Sequence, residues 1–271
     1  MIVDGKAIAE DVYATLEKRR EGLSHAPKLG IVVCGYDSVI ESFVRIKSRA
    51  ATRLSVGIIR EDIDANANTE AVIDAIRKLS VEVDGIIVQL PLGKEIDTNA
   101  ALSTIPDDKD VDAISTATGE HHVDAPVARA IEEILTVSGV PVSGKKVAIV
   151  GAGRLVGLPT AQLLKRLGAH VSKITLEEGS LKELMDADIV ISGVGEPGLI
   201  KPEHIKDGTV LIDAGTSEHS GKVVGDCDPA CAAKCSVFTP VPGGVGPVSV
   251  AMIFKNLFDL TEKQSVKKSI F

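Results

Sequence analysis

Residues 147–159 read Val147-Ala148-Ile149-Val150-Gly151-Ala152-Gly153-Arg154-Leu155-Val156-Gly157-Leu158-Pro159. An apolar run, a glycine turn and a helix start that continues to Gly168 follow one another directly, as they do at the opening of a βαβ unit. Gly151 and Gly153 permit a tight turn and close backbone approach, and the helix N-terminus offers free N–H groups and a positive dipole end to a pyrophosphate. The third glycine, Gly157, comes four residues after the second. A strict G-x-G-x-x-G pattern is therefore not met, and a plain strand-helix turn is the competing reading. The second strand of the unit would end in Ile174-Thr175-Leu176-Glu177-Glu178. An acidic residue there binds the ribose hydroxyls of NAD, whereas a basic one holds the extra phosphate of NADP. Glu177 points to NAD, or is simply part of a solvated acidic loop, while Arg154 and Lys173 can bring positive charge from either side.

Working outward, the stretches 146–150, 170–174, 188–193, 209–213 and 236–239 are expected strands, several apolar on both faces as buried parallel strands are. Before them, strand-like runs at 28–34, 57–60 and 84–89 alternate with helical patterns at 43–54 and 70–79, again βαβ units on a mostly parallel sheet. Between the halves the chain is polar and irregular over 107–126, and a helical stretch follows at 127–137. With 271 residues two domains can each bury a core. The expected fold is thus α/β with two domains: 1–112, completed by an amphipathic C-terminal stretch (249–271) that returns to it, and a Rossmann-like 113–248.

Hydrophobic residues make up 44% and charged residues 25% of the chain, ordinary usage that suggests neither disorder nor a membrane protein. The apolar runs are too short to span a bilayer, and Met1 to Lys6 lack the basic flank and apolar core of a signal peptide; a cytoplasmic enzyme is expected. A net charge of -8 argues against general attraction to nucleic acid. Cys227, Cys231 and Cys235 are four residues apart, which would align them on one helix face behind an Asp228 N-cap and Pro229. No histidine cluster accompanies them, so they read as structural rather than as metal ligands.

In the first half, Phe43 and Lys47 are four apart on an expected helix and would project from the same side. A flat heteroaromatic ligand could lie on the ring while meeting the amine, although Lys47 alone would pass for a surface lysine. The run 84–92, Asp84-Gly85-Ile86-Ile87-Val88-Gln89-Leu90-Pro91-Leu92, is a buried strand ending in a polar Gln89 and a proline turn, where ligands gather in parallel sheets. Within Lys109-Asp110-Val111-Asp112, a buried Asp112 could accept two hydrogen bonds from an amino-pyrimidine edge, or serve as a loop or capping residue. The run 239–247, Thr239-Pro240-Val241-Pro242-Gly243-Gly244-Val245-Gly246-Pro247, packs three prolines and three glycines into nine residues. Such a rigid, bent loop suits holding a flat ring beside a substrate.

These motifs together resemble the bifunctional methylenetetrahydrofolate dehydrogenase/methenyltetrahydrofolate cyclohydrolase family, nearly end to end: Asp4-Gly5-Lys6, 84–92, 109–112, the Gly151 turn, Gly225-Asp226 and 239–247. The resemblance implies oxidation of methylenetetrahydrofolate to the methenyl form with NADP, then hydrolysis to formyltetrahydrofolate, by a homodimer with folate on the first domain and the nicotinamide on the second. It makes Lys47 the cyclohydrolase lysine, Gln89 its hydrogen-bond partner and Asp112 the anchor of the pterin ring. Phe43, Leu90, Pro91, Pro242, Gly243 and Gly244 would line the folate site. Gly151, Gly153, Arg154, Leu155, Val156 and Lys173 would hold the cofactor, together with Glu177, Val194, Gly195, Thr216, Gly243 and Gly246. The sequence departs from the family at Phe43, where a Tyr is usual, at Ile40 for a Ser, at Ser249 for a Thr, in the reduced segment Ala125-Pro126-Val127-Ala128-Arg129, and at Glu177, where a basic residue meets the NADP phosphate. NAD as cofactor, a dehydrogenase without the hydrolytic step, and a nonenzymatic dinucleotide-sensing protein are the competing readings.

Overall fold

The structure, a computed structural model, describes residues 1–115, 121–175, 181–219 and 222–270, the last four as helical backbone only. The chain opens on α1 (Gly5–Glu21) and continues as β1 (Lys28–Cys34), α2 (Ser38–Arg53), β2 (Gly57–Ile63), α3 (Thr69–Glu82), β3 (Gly85–Val88) and the short α4 (Thr98–Leu102). Then come α5 (Pro126–Val137), β4 (Lys146–Val150), α6 (Gly157–Arg166), β5 (His170–Ile174), β6 (Ile189–Ser192), β7 (Val210–Asp213), the hairpin β8 (Ser217–His219) and β9 (Lys222–Val224), β10 (Val237–Phe238) and α7 (Val245–Ile270). Two compact units result: Val12–Pro126 with Val250–Phe271, and Met1–Asp11 with Val127–Ser249.

The first unit is a parallel three-stranded sheet of order β2-β1-β3. β1 is central and buried in six of its seven residues. Gly30 is required there because a Cβ would press on Leu79 and Val83 of the α3 segment. The C-terminal stretch of α7 returns to this unit, as expected, and completes its core with Leu257 and Phe258. Two buried amides fasten it: Asn256 Nδ2 donates to Val111 O and Asp124 O, both at 2.8 Å, and Gln264 Nε2 donates to Asp84 O at 2.8 Å and Asp108 O at 2.7 Å. Each replaces water on backbone carbonyls that would otherwise be buried unpaired.

The second unit is a parallel five-stranded sheet of order β10-β7-β6-β4-β5. The first residues of the chain extend its β10 edge, with Val3 N donating to Phe238 O and Phe238 N to Met1 O, both at 2.9 Å. Successive crossovers go from β4 to β5 on one side and to β6 on the other, so the carboxyl ends of β4 and β6 form a topological switch point, the usual ligand position in such sheets. Switch geometry recurs in the first unit between β1 and β3.

Two expectations are corrected. The run 239–247 is not loop throughout, because α7 already begins at Val245 and places Gly246 and Pro247 in its first turn, where an absent N–H is harmless. The cysteines do not share a helix face. Cys227 bridges to Ile200, only Cys231 lies in the short 3-10 helix Pro229–Ala233, and Cys235 follows it. Asp228 does cap that helix, accepting from Ala230 N at 2.8 Å, and Cys227 and Cys231 are buried free thiols. α1 and the β8-β9 hairpin were not expected at all. Among the described residues no helix is long and apolar enough to cross a membrane.

Candidate active site

In the three-stranded unit, α2 starts five residues before its expected beginning because Asp37 caps it, accepting from Val39 N at 2.8 Å and Ile40 N at 3.0 Å. The helix buries Ile40, Val44, Lys47, Ala50 and Ala51, so Lys47 sits on the core face among apolar residues and is only 8% exposed. Its Nζ donates to Gln89 Oε1 at 2.8 Å. Gln89 is itself fixed: its backbone N pairs with Val32 O at 2.9 Å, one residue beyond β3, and its Nε2 donates to Leu90 O at 3.1 Å. The amide carbonyl is thereby turned toward the lysine. Burial lowers the Lys47 pKa, while the nearby Asp112 carboxylate pulls it back up. Loss of hydration disfavours an ammonium, and an opposite charge favours it.

Asp112 is pushed up to about 7, first by burial, against the pull of Lys47 and with reinforcement from the charge of Asp110. Asp110 is 1% exposed and pushed up to about 6, again mainly by burial. Its Oδ2 accepts from Ser115 N at 2.7 Å and lies 3.6 Å from His121 Nδ1, while its Oδ1 is buried with no partner among the described residues. The turn so braced contains Ala113 at φ 52°, a left-handed conformation that costs a non-glycine residue about 1–2 kcal/mol. Phe43, one turn before Lys47, is half-exposed in a row with Val39 and Ile46, an uncovered apolar surface on α2. The strand of Gln89 continues into a cis Leu90-Pro91 bond, with Leu90 half-buried and Pro91 exposed. The structure thus brings Lys47, Gln89 and Asp112 together. Asp110 was quoted in the sequence only as a neighbour of Asp112; its burial, beside an equally buried Val111, comes with the pairing of this segment to β3 at Ile86, which no pattern in the sequence shows.

In the five-stranded unit, Gly151 has φ 97°, and a Cβ on it would lie 3.1 Å from Gly193 O and 3.2 Å from the Val194 side chain. A Cβ on Gly157 would run into the Gly151 carbonyl, and one on Gly193 into Val156. These glycines let the turns after β4 and β6 touch. Gly153 instead faces open space, as a close ligand approach requires. The wider glycine spacing is absorbed by a turn over 154–156 ahead of α6. Leu155 and Thr216 are exposed, Arg154 and Val156 half-buried, and Lys173 exposed on β5; Glu177 lies outside the described residues. Gly243, at φ 105°, receives Gly5 N on its carbonyl at 2.9 Å. Pro242 and Gly246 beside it are exposed and Gly244 is buried.

Residues 3–112 match the family model described as tetrahydrofolate dehydrogenase/cyclohydrolase, catalytic domain, and residues 125–265 match the model for the NAD(P)-binding domain of the same family. A bifunctional protein FolD of Methanoculleus marisnigri is 35% identical over 269 residues, covering 95% of each chain. One of Staphylococcus aureus is 34% identical over 278 residues, covering 97% of this chain and 96% of its own. Among solved structures, the bifunctional FolD enzyme of Campylobacter jejuni superposes with a TM-score of 0.92 at 27% identity, over 97% of this chain and 99% of that one. The methylenetetrahydrofolate dehydrogenase-cyclohydrolase of Trypanosoma brucei, solved with NADP and an inhibitor, gives 0.90 at 32% identity over 98% of both. On sequence and fold alike, this chain belongs to the tetrahydrofolate dehydrogenase/cyclohydrolase family.

Proposed function

We propose that the protein oxidises methylenetetrahydrofolate to methenyltetrahydrofolate with NADP and then hydrolyses the product to formyltetrahydrofolate. Folate is held by 1–112 completed by 249–271, and the dinucleotide by 113–248. The observation that carries this reading is the buried Lys47 amine, hydrogen-bonded to Gln89 at 2.8 Å and balanced by Asp112. A buried lysine with a lowered pKa is a poor structural element and a serviceable proton carrier. When bound, the dinucleotide supplies the hydride acceptor for the first step, which needs placement of two carbons more than proton transfer. Addition of water to the methenyl carbon does release a proton. Neutral Lys47 accepts it, and Gln89 keeps the amine oriented.

Asp112 anchors the aminopyrimidine edge of the pterin. Donors from that edge favour the charged carboxylate, so folate binding draws Asp112 below the value of about 7 that it has alone. Phe43, Leu90 and Pro91 line the ring system on this unit. The pyrophosphate fits the open face of Gly153 and the N-terminus of α6, with Gly151, Leu155, Val156, Val194, Gly195, Thr216 and Gly246 around the cofactor. Arg154 and Lys173 meet the extra phosphate of NADP. A homodimer formed through the second domain is supported by β5, an edge strand with three of five residues exposed. A cytoplasmic location is supported by the four free cysteines, which suit a reducing compartment. The test is an absorbance assay with methylenetetrahydrofolate and either NADP or NAD, following reduced cofactor and methenyl product together. Failure to reduce either dinucleotide refutes the reading, and sedimentation at micromolar concentration tests the dimer.

A further inference from the structure

The turn after β6 is built around a side chain that no step above uses. Asp226 is fully buried, and its carboxylate accepts four hydrogen bonds: from Ser192 Oγ at 2.6 Å, Val194 N at 2.8 Å, and Gly195 N and Glu196 N at 2.9 Å. Three successive backbone N–H groups converging on one point form an anion-binding nest. Here the anion is the protein's own carboxylate. The nest is therefore filled before any ligand arrives, and these N–H groups are not available to a cofactor phosphate. Below it, the Asp213 carboxylate accepts from Gly215 N at 3.0 Å, from the backbone N of Asp226 at 3.2 Å and from Cys227 N at 2.8 Å. Gly215 and Gly225 have no room for a side chain because the Asp226 and Asp213 carboxylates respectively occupy it. The two acids thus lock together the ends of β6 and β7 and the segment after β9.

The path of this turn matters because it touches the glycine turn. Gly193 packs without a side chain against Val156, and Gly193 O and Val194 lie against Gly151. A shift of the β6 turn by a few tenths of an ångström must push on the β4 turn, since cores transmit small displacements rather than absorb them. We infer that Asp226 is a positioning residue for dinucleotide binding: it fixes the turn after β6 so that the glycine turn after β4 presents its pyrophosphate-binding shape, without itself touching the cofactor. The inference rests on the dinucleotide role proposed for this unit. The Val194 and Gly195 N–H groups, taken by Asp226, then make no hydrogen bond to the cofactor.

Asp226→Asn tests it in the full-length protein. The amide keeps the volume but has one acceptor oxygen and turns an NH₂ group toward backbone donors, so at least one N–H of the nest loses its partner. The expected result is a dissociation constant for NADPH, followed by its fluorescence, raised roughly 10- to 100-fold, the scale of losing one or two hydrogen bonds to a charged group. The dinucleotide KM should rise in step while dehydrogenase kcat changes only a few-fold, and cyclohydrolase activity on methenyltetrahydrofolate, which uses no dinucleotide, should persist. Ser192→Ala, which removes one of the four donors, should weaken binding less than Asp226→Asn does, and it carries the test if the latter does not fold. Unchanged NADPH binding in folded variants overturns the inference, as does loss of both activities in proportion to a falling melting temperature. Absence of both activities in the parent protein with intact NADPH binding would count against the proposed reaction instead, leaving the binding measurement to decide the role of Asp226.

Discussion

Each unit sets a pair of aspartates beside a parallel sheet, Asp213 and Asp226 in one and Asp110 and the half-buried Asp112 in the other, and the two pairs are held differently. In the five-stranded unit every oxygen of Asp226 is occupied by backbone or hydroxyl donors, and Asp213 accepts three backbone N–H groups. In the three-stranded unit one oxygen of Asp110 has no partner among the described residues, and Asp112 is pushed up first by burial, with Lys47 pulling it down and the charge of Asp110 pushing it further up. A fully bonded carboxylate holds a shape. Burial pushes Asp213 up to about 6 in spite of its bonds, much as it does Asp110, so what sets the second pair apart is the buried amine beside Asp112, a charge partner that can respond to a ligand. The first arrangement prepares a binding surface, and the second prepares chemistry.

The largest effect should come from the amine. Lys47→Met removes the proton acceptor of the hydrolytic step, a loss of roughly 10²–10⁴-fold for a general base, while dehydrogenase activity persists and methenyltetrahydrofolate accumulates in the absorbance trace. Equal loss of both steps would reduce Lys47 to a positioning group and erase the contrast between the units. Asp112→Ala should instead depress both steps together, by roughly 10- to 100-fold in kcat/KM, since losing hydrogen bonds to a charged group weakens folate before either reaction. Unchanged folate KM would show that the ring is anchored elsewhere. In the other unit, Arg154→Ala combined with Lys173→Ala should cost NADP roughly tenfold more than NAD, the scale of one charge-assisted contact. A clear NAD preference in the parent protein would show that the acidic Glu177 decides the cofactor.

Much of this was legible in the sequence, for identifiable reasons. Strands β4 and β5 match their expected bounds, β4 because a continuous apolar run ends abruptly at Gly151, and 84–92 placed Gln89 at a strand end. What was not legible depends on pairing across distance. α1 has a weak apolar pattern and is anchored by tertiary contacts, with Arg19 bound to Asp259 and Glu262 at 2.8 and 2.9 Å. The cysteine spacing suggested a helix because periodicity alone cannot show that Cys227 pairs with Ile200. Lys47 looked like a surface residue for the same reason: on α2 it shares a face with Ile40 and Val44, yet only the fold reveals Gln89 as its partner. Asp213 and Asp226 are ordinary strand-end and loop acids until the backbone donors around them are seen.

The smallest effect is a shift in pH profile, and it separates the roles of Asp112 and Asp110. Lys47 must be neutral to take the proton of the attacking water, so cyclohydrolase kcat should rise with pH as the ammonium deprotonates. Burial already lowers that pKa, and the negative charge of Asp112 holds it up. In Asp112→Asn the supporting charge is gone, the Lys47 pKa falls further, and the rising limb moves to lower pH, measured at saturating folate. Asp110 acts one step removed: its charge raises the pKa of Asp112. In Asp110→Asn at saturating folate, where the pterin already holds Asp112 in its charged form, the Asp112 carboxylate supports the ammonium as before and the limb stays in place. The two substitutions remove the same charge two residues apart and should act differently on the profile, a downward shift for Asp112→Asn and none for Asp110→Asn. A downward shift in both variants would mean that Lys47 senses Asp110 directly, and no shift in either would mean that the limb belongs to a group other than Lys47.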